Sequence, residues 1–241
     1  MNHKIKYLAL PLCLILLTTP ACNRDGIGAS SGGATLPGSG VNNSGGTTTS
    51  AAISETDKPL DVMTRAMRAQ LDAKSYRAHV TTTLADNAPN KMIIEYVAPD
   101  RYRMVNDMQV GGKSVSQEFI IVGNGSYIKA PNGQWMRSPV DASEIVKGFR
   151  DPKMLDELAK TADVKFVGAD VIGGAPMLVY QYTQNNPMGM QLKSVSKTWL
   201  SVADGLPRKT ESEGEFQGKK TKTLVSISDY NADIKIESPI K

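Results

Sequence analysis

The chain has 241 residues, of which 40% are hydrophobic and 22% are charged, a composition typical of a globular protein and not of a disordered one. Its 28 Lys and Arg residues against 24 Asp and Glu residues give a net charge of +4, which falls to +2 when Lys4 and Lys6 are removed. With so small a charge and no basic run, the sequence does not indicate nucleic-acid binding.

The N-terminus has the layout of a secretory signal peptide. Lys4 and Lys6 precede an almost wholly apolar run, Tyr7 to Leu17, which is shorter than the roughly 20 residues that span a bilayer. The stretch "TPAC", residues 19–22, resembles the bacterial lipobox, in which the Cys becomes the new N-terminus and is acylated with a fatty acid such as palmitate. We therefore predict a lipoprotein signal peptide at 1–21 and lipidation of Cys22; the alternative is an ordinary signal peptide with an unrelated Cys.

The cysteine content favours acylation. The only two cysteines are Cys13 and Cys22, and Cys13 is lost with the signal peptide, so the mature chain cannot form an intramolecular disulfide. Asn23 follows Cys22. In the sorting rule known for some Gram-negative envelopes, Asp at this position retains a lipoprotein in the inner membrane and Asn does not. We expect a lipid-anchored protein of the cell envelope, on the outer membrane facing the periplasm rather than on the inner membrane.

A tether is expected to separate this anchor from the folded part. Residues 23–56 are rich in Gly, Ser and Thr and have almost no large apolar side chain, so they cannot bury enough surface to offset the entropy of ordering. With Cys22 they form a predicted tether at 22–56, whose mean span as a coil is roughly 30–35 Å. The tether either lets the domain swing away from a membrane or only spaces it from the surface. Residues 57–241 are predicted to form one domain.

The domain opens with a helical pattern at 57–74. Its apolar side chains recur at spacings of three and four and predict one buried stripe: Leu60, Met63, Met67 and Leu71. Thr56 or Asp57 is the expected N-cap, with Pro59 in the first turn.

From residue 75 the hydrophobic period changes to two. About ten or eleven strands follow, the last at 232–237, and a second helical stretch from Asp141 to Ala162 interrupts them. The connections are short, which favours antiparallel pairing. We predict an α+β, mainly antiparallel fold: a strongly curved, incomplete β-barrel whose concave face is covered by the helices.

The sequence lacks the residues of a catalytic or metal site. His79 is the only histidine after the leader and lies on the polar face of its predicted strand, and no free Cys remains for a zinc site. The "GGKS" at 111–114 lacks the Gly that a phosphate-binding loop needs five positions before Gly112, where Asp107 stands. We predict that the protein is not an enzyme and binds no cofactor and no metal.

Methionine is used more than Phe and Trp together, with 11 Met against four Phe and two Trp. Met adapts to irregular apolar partners, so this usage suits a cavity for acyl chains as well as ordinary core filling. Met188 and Met190 lie in a predicted loop, where they could contact a membrane or fold back onto the domain.

Several stretches, taken in order along the chain, resemble the LolA/LolB-like and LppX/LprG-like lipoprotein carriers. They are "YVAPDRYRMV" at 96–105, "GNGSYIKAPNGQWMR" at 123–137, "VGADVIGGAPMLVYQYT" at 167–183, "KTWLSVADGLPRKTE" at 197–211 and "SISDYNADIKIESP" at 226–239. The resemblance implies an unclosed β-barrel with a helical lid around an apolar cavity that accepts the acyl chains of lipids or lipoproteins. It implies no catalytic residues.

These observations predict a membrane-anchored lipoprotein that binds or transfers lipid or an acylated protein. It is expected to be a monomer and to bind no nucleic acid. The apolar side chains expected to line the cavity are Met63, Met67, Leu71, Val80, Met92, Ile94, Tyr96, Met104, Phe119 and Trp199. The alternative is a non-enzymatic interaction or sensor module of the envelope with the same fold and a filled interior.

Overall fold

The computed structural model describes residues 52–85, 87–110, 112–138, 150, 162–185, 192–216 and 218–240. These ranges contain one helix, α1 (Pro59–Asp72), and eleven strands: β1 (Ser75–Leu84), β2 (Asn90–Val97), β3 (Arg101–Val110), β4 (Lys113–Val122), β5 (Gly125–Lys129), β6 (Trp135–Arg137), β7 (Asp163–Ile172), β8 (Ala175–Asn185), β9 (Leu192–Ser201), β10 (Pro207–Phe216) and β11 (Lys219–Ser228). The predicted signal peptide, Cys22 and, apart from Arg150 and Ala162, the predicted helical cover lie outside the described residues.

All eleven strands belong to one antiparallel sheet in the order β6-β5-β4-β3-β2-β1-β11-β10-β9-β8-β7. Each half of the sheet is a meander, and the pairing of β1 with β11 joins the halves. The sheet is not closed, because β6 and β7 are its two edges. The predicted fold class, a mainly antiparallel and incomplete barrel of ten or eleven strands, is confirmed.

Helix α1 begins at Pro59, whose fixed φ suits the first helical position. The preceding Lys58 is the N-cap and makes no side-chain capping bond, so the predicted cap at Thr56 or Asp57 is wrong. Asp57 instead accepts a hydrogen bond from Arg65 at 2.7 Å.

The helix buries a slightly different stripe from the predicted one. Val62, Met63 and Ala66 are its buried residues, whereas Leu60 is 37% exposed. These side chains pack against β8 and β9. No helix among the described residues is long and apolar enough to cross a membrane.

Strand alternation and register assign every sheet side chain to one of two faces. Helix α1 packs on the face that carries Leu178, Tyr180 and Leu200. We call this the inner face and the opposite one the outer face. The register places Tyr76, Ala78 and Val80 of β1, with their partners on β2 and β11, on the inner face.

The chain after β11 crosses to the outer face. The Asn231 N–H donates to the Ser75 carbonyl oxygen at 2.9 Å, where the chain turns. Ile236, only 3% exposed, then packs against Ile120 and Tyr127 on the outer face of β4 and β5. No strand is present at 232–237, so that predicted strand is wrong. The apolar side chains there cover a sheet face and do not extend the sheet.

Six charged side chains of alternating sign form a row on the outer face, which we call the charge ladder: Asp229, Arg77, Glu95, Arg103, Glu118 and Lys129. Arg77 Nη2 lies 2.8 Å from Glu95 Oε1, and Arg103 Nη1 lies 3.1 Å from Glu95 Oε2. Glu118 is held in the same way, at 2.7 Å by Arg103 Nε and at 3.0 Å by Lys129 Nζ. The ladder crosses five strands, β1 to β5, and ends at Asp229, the residue after β11, so it links the two halves of the sheet.

Candidate functional site

An apolar row crosses the first half of the inner face. The register aligns one side chain from each of five consecutive strands, β1 to β5, and we call this set the apolar row: Ala78, Ile94, Met104, Phe119 and Ile128. Directly opposed side chains in such pairs have their Cβ atoms about 4.5–5.5 Å apart. Ile94, Met104, Phe119 and Ile128 are only half-buried. The row therefore offers a continuous apolar strip that the described residues do not fully cover.

Four tyrosines lie beside the β1–β3 part of this strip. Tyr96 stacks against Tyr76 with ring centroids 5.1 Å apart and against Tyr102 at 5.0 Å. The ring centroid of Tyr230 lies 6.0 Å from that of Tyr76. Burial raises the pKa of all four phenols, so they stay neutral at physiological pH. Arg150 places its guanidinium carbon 4.1 Å from the Tyr96 ring centroid and donates a hydrogen bond to the Leu71 carbonyl oxygen.

The predicted lining residues of α1 occupy two separate places. Met63 is buried and Met67 half-buried in the cluster that joins the helix to β8 and β9. Leu71 lies at the other end of the helix, and through its carbonyl it contacts Arg150, beside the tyrosines. Met63 therefore holds the helix to the sheet, and the Leu71 backbone lies beside Arg150 and the tyrosines.

The predicted lining residues of β1 to β4 share the inner face. Ile94 and Met104 pack against the cluster of Tyr96, and Val80 and Met92 are partners in the next row. Phe119 continues the apolar row on β4. The structure thus brings these six predicted residues together on one surface.

Trp199 lies on the opposite face. Its neighbours in β9, Thr198 and Leu200, face inward, so the indole points outward and packs against Met177 and Val179. Its Nε1–H donates to Asp170 Oδ2 at 2.7 Å. Trp199 therefore cannot line the inner face with the other predicted residues, and we leave it out of the candidate site.

Sequence reasoning missed several inner-face groups. Tyr76 and Tyr102 could have been found from the alternation that identified Tyr96. No local sequence pattern identifies Arg150, because its position depends on a contact with Tyr96, which is distant in the chain. Met188 and Met190, the predicted membrane-contact residues, lie outside the described residues.

The chemistry of this surface is that of binding. Among the described residues no group of three or more His, Cys, Asp or Glu side chains could hold a metal ion. His79 is exposed on the outer face, away from the apolar row. The inner face presents apolar and aromatic side chains, which can hold an acyl chain by excluding water.

Comparisons with known proteins support the fold. No family model and no curated protein matches the sequence. The lipoprotein LppX of Mycobacterium tuberculosis is similar in structure, with a TM-score of 0.54 at 12% identity over 74% of this chain and 97% of LppX. LprF of Mycobacterium bovis gives a TM-score of 0.53 at 14% identity over 76% of this chain and 97% of LprF. The chain therefore has an LppX-like fold, which confirms the resemblance inferred from sequence at the level of the fold.

Proposed function

We propose that this protein is a membrane-anchored lipoprotein of the envelope that binds or transfers lipid or lipoprotein acyl chains. One observation carries the proposal: the apolar row runs unbroken across five strands, and most of its side chains are only half-buried. An apolar strip of this kind lowers its free energy when a hydrocarbon chain covers it. The LppX-like fold is consistent with this role.

The mechanism is desolvation and needs no catalytic group. Each CH₂ that leaves water contributes about 0.8 kcal/mol, so a long acyl chain binds without a specific bond. Met92 and Met104 adapt to chains of different shape because their side chains are unbranched. The proposed lining is Met67, Leu71, Val80, Met92, Ile94, Tyr96, Met104 and Phe119, with Met63 holding α1 in place.

Loading and release complete the proposal. The segment from Asp141 to Ala162 covers the ligand and moves at Gly148 and Pro152 to free it. Met188 and Met190 contact the bilayer during exchange, and Cys22 keeps the protein at that membrane, the outer membrane in a Gram-negative cell. These steps rest on the sequence, because all of these residues except Arg150 and Ala162 lie outside the described part of the chain.

The experiment is to measure bound lipid and acyl-chain uptake. Native mass spectrometry of the purified full chain should show co-purified lipid, and the stripped protein should take up a fluorescent fatty acid. Met104→Gln places an amide of similar size in the apolar row, and burying it against the chain should weaken uptake roughly tenfold. Val105→Gln is the matched control, because Val105 is the next residue and faces outward.

Two results would contradict the proposal. One is the absence of both bound lipid and fatty-acid uptake in the folded protein, which would favour the non-enzymatic interaction module. The other is equal weakening by Met104→Gln and Val105→Gln, because the inner face would then have no special role.

A further inference from the structure

Two buried amide oxygens on the inner face have no donor. Asn90 on β2 and Asn106 on β3 each bury their side-chain Oδ1 without a hydrogen-bond partner, and Asn106 is only 7% exposed. Alternation with Met92 and Met104 places both on the inner face. A buried acceptor without a donor destabilises the folded state, so two on one face require an explanation.

A row of hydroxyl groups continues from Asn90 across the second half of the sheet. Each member is the register partner of the next, on β2, β1, β11, β10 and β9, and we call this set the polar row: Asn90, Thr82, Thr223, Ser212 and Ser196. The Ser196 and Ser212 hydroxyl oxygens lie 2.7 Å apart, and those of Thr82 and Thr223 lie 3.4 Å apart.

Asn106 adjoins the polar row. Its register partner on β2 is Met92, two positions from Asn90, so Asn106 and Asn90 are diagonal neighbours at roughly 7–8 Å. The two unsatisfied acceptors thus lie where the polar row meets the apolar half of the inner face. A ligand with its chain along the apolar row would bring its polar end to this junction.

The polar row carries no charge. The charged side chains of β9, β10 and β11 near it point outward, where Lys222 pairs with Glu213 at 2.8 Å and Lys209 pairs with Glu211 at 2.6 Å. Arg150 and Arg208 lie among the tyrosines instead, where Arg150 stacks on the Tyr96 ring and Arg208 stacks on the Tyr230 ring. A charged headgroup on the polar row would lose hydration without meeting an opposite charge on the inner face of the described strands beside it, which is costly. The row therefore suits an uncharged group that donates hydrogen bonds.

We propose that the polar row and Asn106 bind the uncharged, hydroxyl-bearing headgroup of an acyl ligand inside the protein. This inference rests on the proposed function and adds the chemical class of the ligand and its orientation. The ligand's O–H groups donate to Asn90 Oδ1 and Asn106 Oδ1, and the serine and threonine hydroxyls of the row donate to and accept from the rest of the headgroup.

The test compares ligands that share an oleoyl chain and differ in headgroup. The protein is the full chain carrying Cys22→Ser, which cannot be acylated at that position, and binding is read by displacement of a fluorescent fatty acid. We expect 1-monooleoylglycerol, which has two hydroxyl groups, to bind about tenfold more tightly than methyl oleate, which has none. 1-Oleoylglycerol 3-phosphate should bind more weakly than 1-monooleoylglycerol because it is charged.

Asn106→Leu identifies the site. This variant keeps the approximate size of the side chain and removes the unsatisfied acceptor, so it should reduce the preference for 1-monooleoylglycerol to nearly one. Its thermal midpoint without ligand should equal or exceed that of the parent, which shows that it folds. Val105→Leu, at the neighbouring position of β3 that faces outward, is the matched control and should keep the preference.

The outcomes separate this inference from the proposed function. If all three oleoyl ligands bind equally, or if Asn106→Leu keeps the preference, the headgroup site is wrong and acyl binding stands. If none of the three binds, the proposed function fails and the headgroup site fails with it.

Discussion

At the scale of single residues, local contacts give the tyrosines opposite acid–base behaviour. Burial raises the pKa of six of them: Tyr76, Tyr96, Tyr102, Tyr180, Tyr182 and Tyr230. Tyr127 differs, because hydrogen bonds with the Ser238 and Arg137 side chains lower its pKa below the usual 10.0. Donors near a phenolate stabilise its charge, whereas an apolar surrounding disfavours it.

We therefore expect phenolate absorbance to rise in two phases when the folded protein is titrated with base. Tyr127 should ionise first and alone, and Tyr127→Phe should remove that phase, whereas Tyr182→Phe should leave it. The other six have raised pKa values in the folded state, so their contribution to stability is complete below their unfolded pKa and is lost as the pH rises through the folded pKa. Their ionisation should accompany alkaline unfolding. Simultaneous ionisation of all seven near pH 10 would contradict this account.

At the scale of elements, the charge ladder couples neighbouring strands. Burial alone would raise the pKa of Glu95, but hydrogen bonds from Arg77 and Arg103 outweigh it and lower that pKa below the usual 4.5. Lys129 and Arg103 do the same for Glu118. A carboxylate with a lowered pKa in the folded state stabilises the fold above its unfolded pKa, and this contribution is lost as the pH falls through the folded pKa.

Glu95→Gln should therefore destabilise the protein at pH 7. The loss should be only about 1 kcal/mol, because solvent screens the partly exposed arginines that pair with Glu95. The difference from the parent should shrink as the pH is lowered below the usual pKa of Glu, 4.5. Urea unfolding at pH 7 and at acidic pH measures both effects. Glu213→Gln is the control, because Glu213 and its partner Lys222 have side chains 69% and 71% exposed, and it should leave the midpoint unchanged. A loss that is equal at both pH values would show that charge is not the cause.

At the scale of the whole molecule, one continuous sheet carries both rows of the proposed site. The C-terminal segment covers part of the outer face, and α1 covers the β8–β9 part of the inner face. The apolar row and the polar row both lie on the inner face and together extend from β5 to β9. The residues of the proposed site thus belong to the sheet and not to the predicted tether.

Cys22→Ser should accordingly separate anchoring from binding. The variant should lose the incorporation of a labelled fatty acid that the parent shows. Its ligand affinity should match that of the parent, because the residues of the proposed site lie beyond the tether. Retention of the label by the variant would place the acyl group elsewhere, and the predicted anchor would be wrong.

Local patterns predicted the elements well. The change to a period of two at residue 75 predicted the observed start of β1, Ser75–Leu84, because alternation and turn chemistry act over a few neighbouring residues. The stripe of α1 was less accurate: Met63 is buried as predicted, but Leu60 is exposed and Val62 is buried. Helix α1 carries apolar residues on more than one side, and packing against the sheet decides which of them are buried.

The choice of face was beyond the sequence. In β9 one side carries Val195 and Trp199 together with two lysines, and the other carries Leu200 together with serines and Thr198, so hydrophobicity alone does not decide which side is the interior. The tertiary structure turns the side with Leu200 and Thr198 toward α1. Alternation determines which side chains share a face, so the sequence by itself predicts these sets of side chains. Which face is inside depends on register across strands distant in the chain, and only the assembled sheet decides it.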